Sequence, residues 1–399
     1  MDLKSRLARL DRLSRRPESP QPSLVGIRQE DVEASLEVLG LVRNDTPEGP
    51  VWLTSHRDLL AGPGEPLPNL EEVFSRPGPH RPSAGEILFL DTETTGLAGG
   101  TGTIAFLTGV SWWDGKAFVT RQYFLPGPGN ELAMLKDLAR LAGGFAVVVT
   151  FNGASFDLPL LRTRARLNRL EDPLAALDVW DLLVPARRLW GNRLPDCRQQ
   201  TLEREVCGLE RGPGDIDGSF IPQTWFDFLA TGQPGLLPSV LTHNHRDMVG
   251  MGRLFLEVAT AAGLIDRSAV LPATTPWQEG WALGRICERR RDVARSLACL
   301  EIAARAAPRE PRRGIGDSRF LADALRILKR GGDWPLVERL IIEGLEAGVD
   351  DPWLHREAAI LYEHRLVDLG RALDHALKSG EVHRCTRLEG LLQGRGPDR

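Results

Sequence analysis

Along the first 80 residues, apolar positions come in short, separated groups. MDLKSRLARLDRLSRRP has the spacing of a short basic amphipathic helix, a Pro-rich gap follows, and SLEVLGLV and VWL flank NDTPEGP in the manner of a hairpin. Residues 1–80 therefore read as an arm that is only partly ordered. From Ile87 the pattern changes. ILFL, TIAFLTGVSWW and AFVTRQYFL follow one another across Gly-containing or DGK turns, which suits an antiparallel meander. An amphipathic helix is expected from Glu131 to Leu141, and after it the continuous apolar strand FAVVVTF. Helix and buried strand keep alternating through LPLLRTRARL, ALDVW and LLVPARRLW, the pattern of an α/β sheet covered by helices. Residues 81–266 read as one mixed α/β domain.

Beyond Pro272 the strands stop, and Ala, Leu and Arg recur with helical periodicity, so 272–399 reads as an all-α domain. Leu283, Gly284, Cys287, Ser296, Leu300, Ala303 and Pro308 fall at the offsets of the tetratricopeptide signature. Leu328, Val337, Ile341 and Gly344 reproduce its middle, and WLHREAAILYEHRLVDLGRALDHAL resembles it again with Ala372 one residue late. A plain helical bundle fits the same periodicity. If the domain is tetratricopeptide-like, a protein partner is the expected ligand.

Charge narrows the partners only a little. A formal net charge of −4 and a pI near 6.1 give no global attraction to nucleic acid, so any such binding must rest on local basic surface. Arg162, Arg164, Arg166 and Arg169, with Arg187 and Arg188, make a basic helix face that can hold phosphates or simply face water. The five cysteines form no CxxC, which suggests neither a disulfide framework nor a structural zinc. No signal-peptide core or membrane-length apolar run is evident, so a cytoplasmic protein with no membrane partner is expected.

The chemistry concentrates in three places. ILFLDTETTG ends an apolar strand in Asp91 and Glu93, two residues apart and so on one face, where their charges crowd unless a proton or cation relieves them. NGASFDLPLL sets Asn152 and Asp157 across a strand end and a helix start; an Asp before Leu-Pro also makes a good helix N-cap. LLPSVLTHNHRDMVGMGRLF reads as a helix with His243 and Asp247 four apart on one face. GLAGGTG lacks the Lys-Ser or Lys-Thr ending of a P-loop. Asp178 and Asp181 read as structural, and His245 as a surface residue.

DTETTG, NGASFD and HNHRD, in that order and on those elements, resemble the three motifs of the DEDD exonucleases, the proofreading branch of the RNase H-like fold. Closer still is the YprB-type RNase H-like family, whose pattern is similar to LPDCRQQTLEREVCGLERGPGDIDGSFIP followed by HNxxD. The resemblance implies an RNase H-like mixed sheet flanked by helices and a metal-dependent 3′–5′ exonuclease acting on DNA or RNA. It implies two Mg²⁺ or Mn²⁺ ions held by Asp91, Glu93, Asp157 and Asp247, with His243 as general base. Thr94, Thr95, Leu97 and Asn152 are the implied substrate contacts. One departure stands out: families with a His base usually place it five residues before the last Asp, and His243 stands four before Asp247. The alternative is a non-catalytic scaffold that only holds nucleic acid.

Overall fold

The structure is a computed structural model that describes residues 28–74, 81–96, 102–212, 215–266, 271–272 and 274–394. The basic segment at the N-terminus and Leu97 lie outside the described residues. The chain divides into two compact units. One comprises the chain up to Glu65, Pro82–Leu182 and Cys207–Phe255; the other comprises Pro66–Arg81, Leu183–Val206 and Leu256 onward.

The first unit is built on a seven-stranded mixed sheet: β1 (Val42–Thr46), β2 (Gly49–Asp58), β3 (Ile87–Thr94), β4 (Ala105–Trp113), β5 (Phe118–Phe124), β6 (Val147–Thr150) and β7 (Asp178–Asp181). Their order is β1-β2-β5-β4-β3-β6-β7. The expected meander is β3-β4-β5, antiparallel throughout, while β3 pairs β6 and β6 pairs β7 in parallel. The hairpin foreseen in the arm exists, but it is part of the sheet. β2 runs on past VWL and pairs with β5 from Trp52 opposite Phe124 to Asp58 opposite Phe118. The stretch TSHRD carried no apolar alternation to announce this, because its residues are held by neighbours on β5 rather than by a core of their own.

Alternation along β3 sets the rest. Leu88 and Leu90 join a core with Phe106 of β4 and with Leu135, Leu138, Leu161 and Trp225 from helices Glu131–Ala142, Asp157–Leu167 and Ile221–Thr231. Phe89 points the other way, edge-on to Trp113, Phe118 and Phe255 at 5.3–5.6 Å between ring centroids. Each such buried ring contributes about 2 kcal/mol. Phe255 lies on the 30-residue helix Leu237–Asp266. That helix therefore covers the face of β3 on which the odd-numbered Asp91 and Glu93 also stand.

Against the sequence-based expectation, this helix is long and apolar enough by composition to cross a membrane, with mean hydropathy 1.5 over an 18-residue window. Its apolar residues serve the protein instead: 56% of that window is buried, and Met248, Met251, Leu254 and Phe255 have essentially no exposed surface.

In the second unit, the helices of the C-terminal part run in pairs: Trp277–Arg289 with Val293–Ala306, Ser318–Gly331 with Trp334–Glu346, and Pro352–His364 with Leu369–Ser379, followed by Val382–Leu392. Small residues allow the close crossings. A Cβ on Gly284 would come within 2.9 Å of Leu300, and one on Gly344 within 2.4 Å of Leu321. Helices within 183–206, which the sequence reading kept in the α/β domain, group with this unit.

Candidate active site

Three elements of the first unit converge. β3 brings Asp91 and Glu93, the start of helix Asp157–Leu167 brings Asp157, and the helix Leu237–Asp266 brings His243, Asn244 and Asp247. One ligand atom each from Glu93, His243 and Asp247 lie within 4.8 Å of one another. Asp91 and Asp157 stand outside that trio but close enough to act on it electrostatically.

The acids crowd one another. Burial, then Asp157, Glu93 and Asp247, push the Asp91 carboxyl well above its ordinary range, against the pull of Asn244. Burial, then Asp247 and Asp157, push Glu93 well up too, with Arg211 opposing and Asp215 adding. Burial also raises Asp157, although the Thr92 hydroxyl donates to its Oδ1 and favours the ionised form. Asp157 is the first residue of its helix and takes a side-chain partner on β3, so it does not serve as the N-cap. Gly153 makes this fit, since a Cβ there would sit 2.6 Å from Asp157 Oδ2.

Asp91 is fixed from behind. Asn244 Nδ2 donates to Asp91 Oδ2 at 2.8 Å, and Gln122 Nε2 donates to Asn244 Oδ1 at 2.9 Å and to the Leu241 carbonyl at 2.8 Å. Asn244 is fully buried, threaded over Gly109 of β4, which pairs with Asp91 on β3 and with Gln122 on β5. A Cβ at Gly109 would fall 2.3 Å from Asn244 Oδ1.

A second network comes from the loop before helix Ile221–Thr231. Asp215 Oδ1 lies 2.8 Å from His243 Nδ1, while His243 Nε2 lies 3.4 Å from Asp247 Oδ2. Arg211 bridges the acids, donating to Asp247 Oδ1 and to Asp215 Oδ2. Burial would raise Asp215, but His243 and Arg211 outweigh it and hold the carboxyl below its ordinary range.

The other sequence-predicted residues are placed differently. Thr94 Oγ1 donates to the Gly96 carbonyl at 3.0 Å, and Thr95 Oγ1 accepts from Ile104 N–H at 3.0 Å, so both hydroxyls are engaged by backbone near the end of β3. Asn152 adopts φ 64°, a left-handed conformation Asn tolerates, and its N–H donates to Asp181 Oδ1 at 2.8 Å. Asp181 also accepts from Ala154 N–H, the structural role expected of it. His245 is no surface residue: its Nε2 lies 2.9 Å from Asp58 Oδ2 and its ring stacks on His56. The basic face is partly consumed. Arg164 forms a bidentate pair with buried Glu131, Arg162 pairs with Asp172, and Arg188 donates to the Val73 carbonyl.

Acids thus stand at the end of β3 and at the start of the helix that follows β6. Residues 88–258 match the RNase_H superfamily. The stretch that carries β3 to β7 and the converging acids thus has an RNase H-like fold. Over 174 residues the chain is also 36% identical to the "Uncharacterized protein YprB" of Bacillus subtilis (strain 168), a stretch covering 43% of this chain and 42% of that protein. The RNase H-like domain has two features that spacing alone did not disclose. Asn244 and Asp215 were visible in HNHRD and GDID, but nothing local marked them as partners of Asp91 and His243.

Proposed function

We propose that the RNase H-like domain is a metal-dependent nuclease, a 3′–5′ exonuclease in kind, that hydrolyses phosphodiester bonds of DNA or RNA. The observation that carries this is the meeting of Asp91, Glu93, Asp157 and Asp247 in one region where burial raises three of the carboxyls and the neighbouring acids add to the rise at Asp91 and Glu93. Such a donor set fits hard divalent cations, Mg²⁺ or Mn²⁺, which take carboxylate oxygens, and Glu93 and Asp247 lie close enough to share one beside the His243 ring. Bound there, two such ions would activate water and stabilise the leaving oxygen of the phosphodiester. Asp91, held by Asn244, and Asp157, held by Thr92, present fixed oxygens. His243 Nε2 faces the same space and takes up the proton of the attacking water.

A second reading, a nucleic-acid-binding scaffold without turnover, is favoured by the Arg211 bridge, which already supplies a positive charge to Asp247 and Asp215. In either reading the paired C-terminal helices act as a tetratricopeptide-like platform for a protein partner. The deciding experiment follows end-labelled single- and double-stranded DNA and RNA with Mg²⁺, Mn²⁺ or EDTA, alongside Mn²⁺-dependent melting. Hydrolysis and Mn²⁺ stabilisation should both vanish in Asp91→Ala. Binding without hydrolysis on every substrate would establish the scaffold. Equal Mn²⁺ stabilisation of wild type and variant would remove the acidic cluster as the metal site.

A further inference from the structure

We propose that Asp215 is a positioning residue that fixes the tautomer and aim of His243. The inference rests on the reading of His243 as the base, and it accounts for the four-residue spacing. On a helix, moving the ring from five to four residues before Asp247 turns its starting direction by about 100°. The helix alone therefore does not set where the ring nitrogens point. A residue from elsewhere must, and the loop before helix Ile221–Thr231 provides one.

A neutral imidazole has one N–H to donate and one lone pair to offer. Asp215 Oδ1 stands 2.8 Å from Nδ1, a full hydrogen bond, whereas Asp247 Oδ2 stands 3.4 Å from Nε2, at the outer limit of one. A carboxylate accepts only, so the single proton belongs on Nδ1. The Nε2 lone pair is left facing Glu93 and Asp247, where a proton acceptor is needed. Arg211, donating to Asp215 Oδ2 at 3.1 Å, and Arg246, 3.8 Å from Oδ1, keep the carboxylate turned toward the ring. The ring itself is only 10% exposed, so water competes poorly for either nitrogen. The arrangement is that of an acid holding one imidazole nitrogen so that the other can act.

The test uses the full chain with ¹⁵N-labelled histidine and saturating Mg²⁺, in long-range proton–nitrogen spectra recorded at a pH where imidazoles are neutral. His243 is assigned among the eight histidines by His243→Gln. Wild type should show Nδ1–H and a bare Nε2. Asp215→Ala should move the proton to Nε2 and lower kcat on single-stranded oligonucleotides by about 10- to 100-fold, with KM and the Mn²⁺ melting shift unchanged. Asp215→Asn turns its amide oxygen to Arg211 and so presents its NH2 to Nδ1, and it should show the Nε2–H tautomer and a loss of turnover like that of Asp215→Ala. An Nε2–H tautomer in the wild type, or an Nδ1–H tautomer that survives in Asp215→Ala, overturns the proposal. So does an Asp215→Asn protein that shows Nε2–H yet turns over like the wild type. A wild type that cleaves nothing defeats the nuclease reading instead, and the spectra still decide the role of Asp215.

Discussion

Replacing Gly109 with Ala places a methyl group where the structure has no room. The new Cβ would lie 2.3 Å from Asn244 Oδ1 and 3.0 Å from its Cγ and Nδ2, on a side chain with no exposed surface into which to retreat. Asn244 must leave its seat, and two hydrogen bonds go with it. The bond to the Asp91 carboxylate is worth about 1.5–3 kcal/mol and the one from Gln122 about 0.5–1.5 kcal/mol. The entropic advantage of Ala over Gly in a strand returns about 0.5–1 kcal/mol. A net loss of about 1–4 kcal/mol follows. The assay is native-state hydrogen exchange of the β3–β5 amides, which reads the sheet rather than the helical pairs. The cause is isolated by the double variant. In Asn244→Ala the obstructing amide is gone, so adding Gly109→Ala should then cost less than about 0.5 kcal/mol. If the two substitutions instead add independently, or if Gly109→Ala alone leaves protection unchanged, the packing of Asn244 over Gly109 does not hold Asp91 in place.

Metal-free stability should depend on pH through the acidic cluster. Asp91, Glu93 and Asp157 bind protons more tightly folded than unfolded, so their contribution declines as pH rises from the ordinary carboxylate range near 4 through their raised values. In EDTA, Asp91→Asn should flatten the decline in melting temperature between pH 5 and 8, and identical profiles for the two proteins would refute the linkage. Glu131→Ala should destabilise the first unit by about 3–5 kcal/mol in urea titrations, because it strips the bidentate carboxylate from the largely buried Arg164 guanidinium. A loss under about 1 kcal/mol would mean that Arg164 finds water on leaving the pair.

The acids that converge were legible because each ends a strongly patterned element: Asp91 and Glu93 close the apolar run ILFL, Asp157 opens a helix after FAVVVTF, and Asp247 sits four residues from a histidine. Short-range periodicity carries that information. What holds them in place was not legible, since it depends on pairs far apart in sequence. Asn244 and Asp91 are 153 residues apart, and Gln122 and Asn244 are 122 apart. The same limit explains β2, whose polar strand makes sense only against β5, and Arg164, which read as part of a face for phosphates or water although its partner, Glu131, comes from another helix.

Within five residues the helix Leu237–Asp266 reaches four separate anchors. His243 takes Asp215, Asn244 takes Asp91, His245 takes Asp58 on β2, and Asp247 takes Arg211. At about 100° and 1.5 Å per residue, these side chains circle the helix more than once within a single short rise. The segment therefore works as a rotational key: it can be seated at one angle and one depth only. Inserting a single residue upstream, between Leu237 and Thr242, would turn the whole set by about 100° if the rest of the helix stayed put, misdirecting every anchor at once instead of weakening one. Length changes in this helix should thus be all-or-nothing at its start, a form of constraint that acts on the number of residues rather than on their identity.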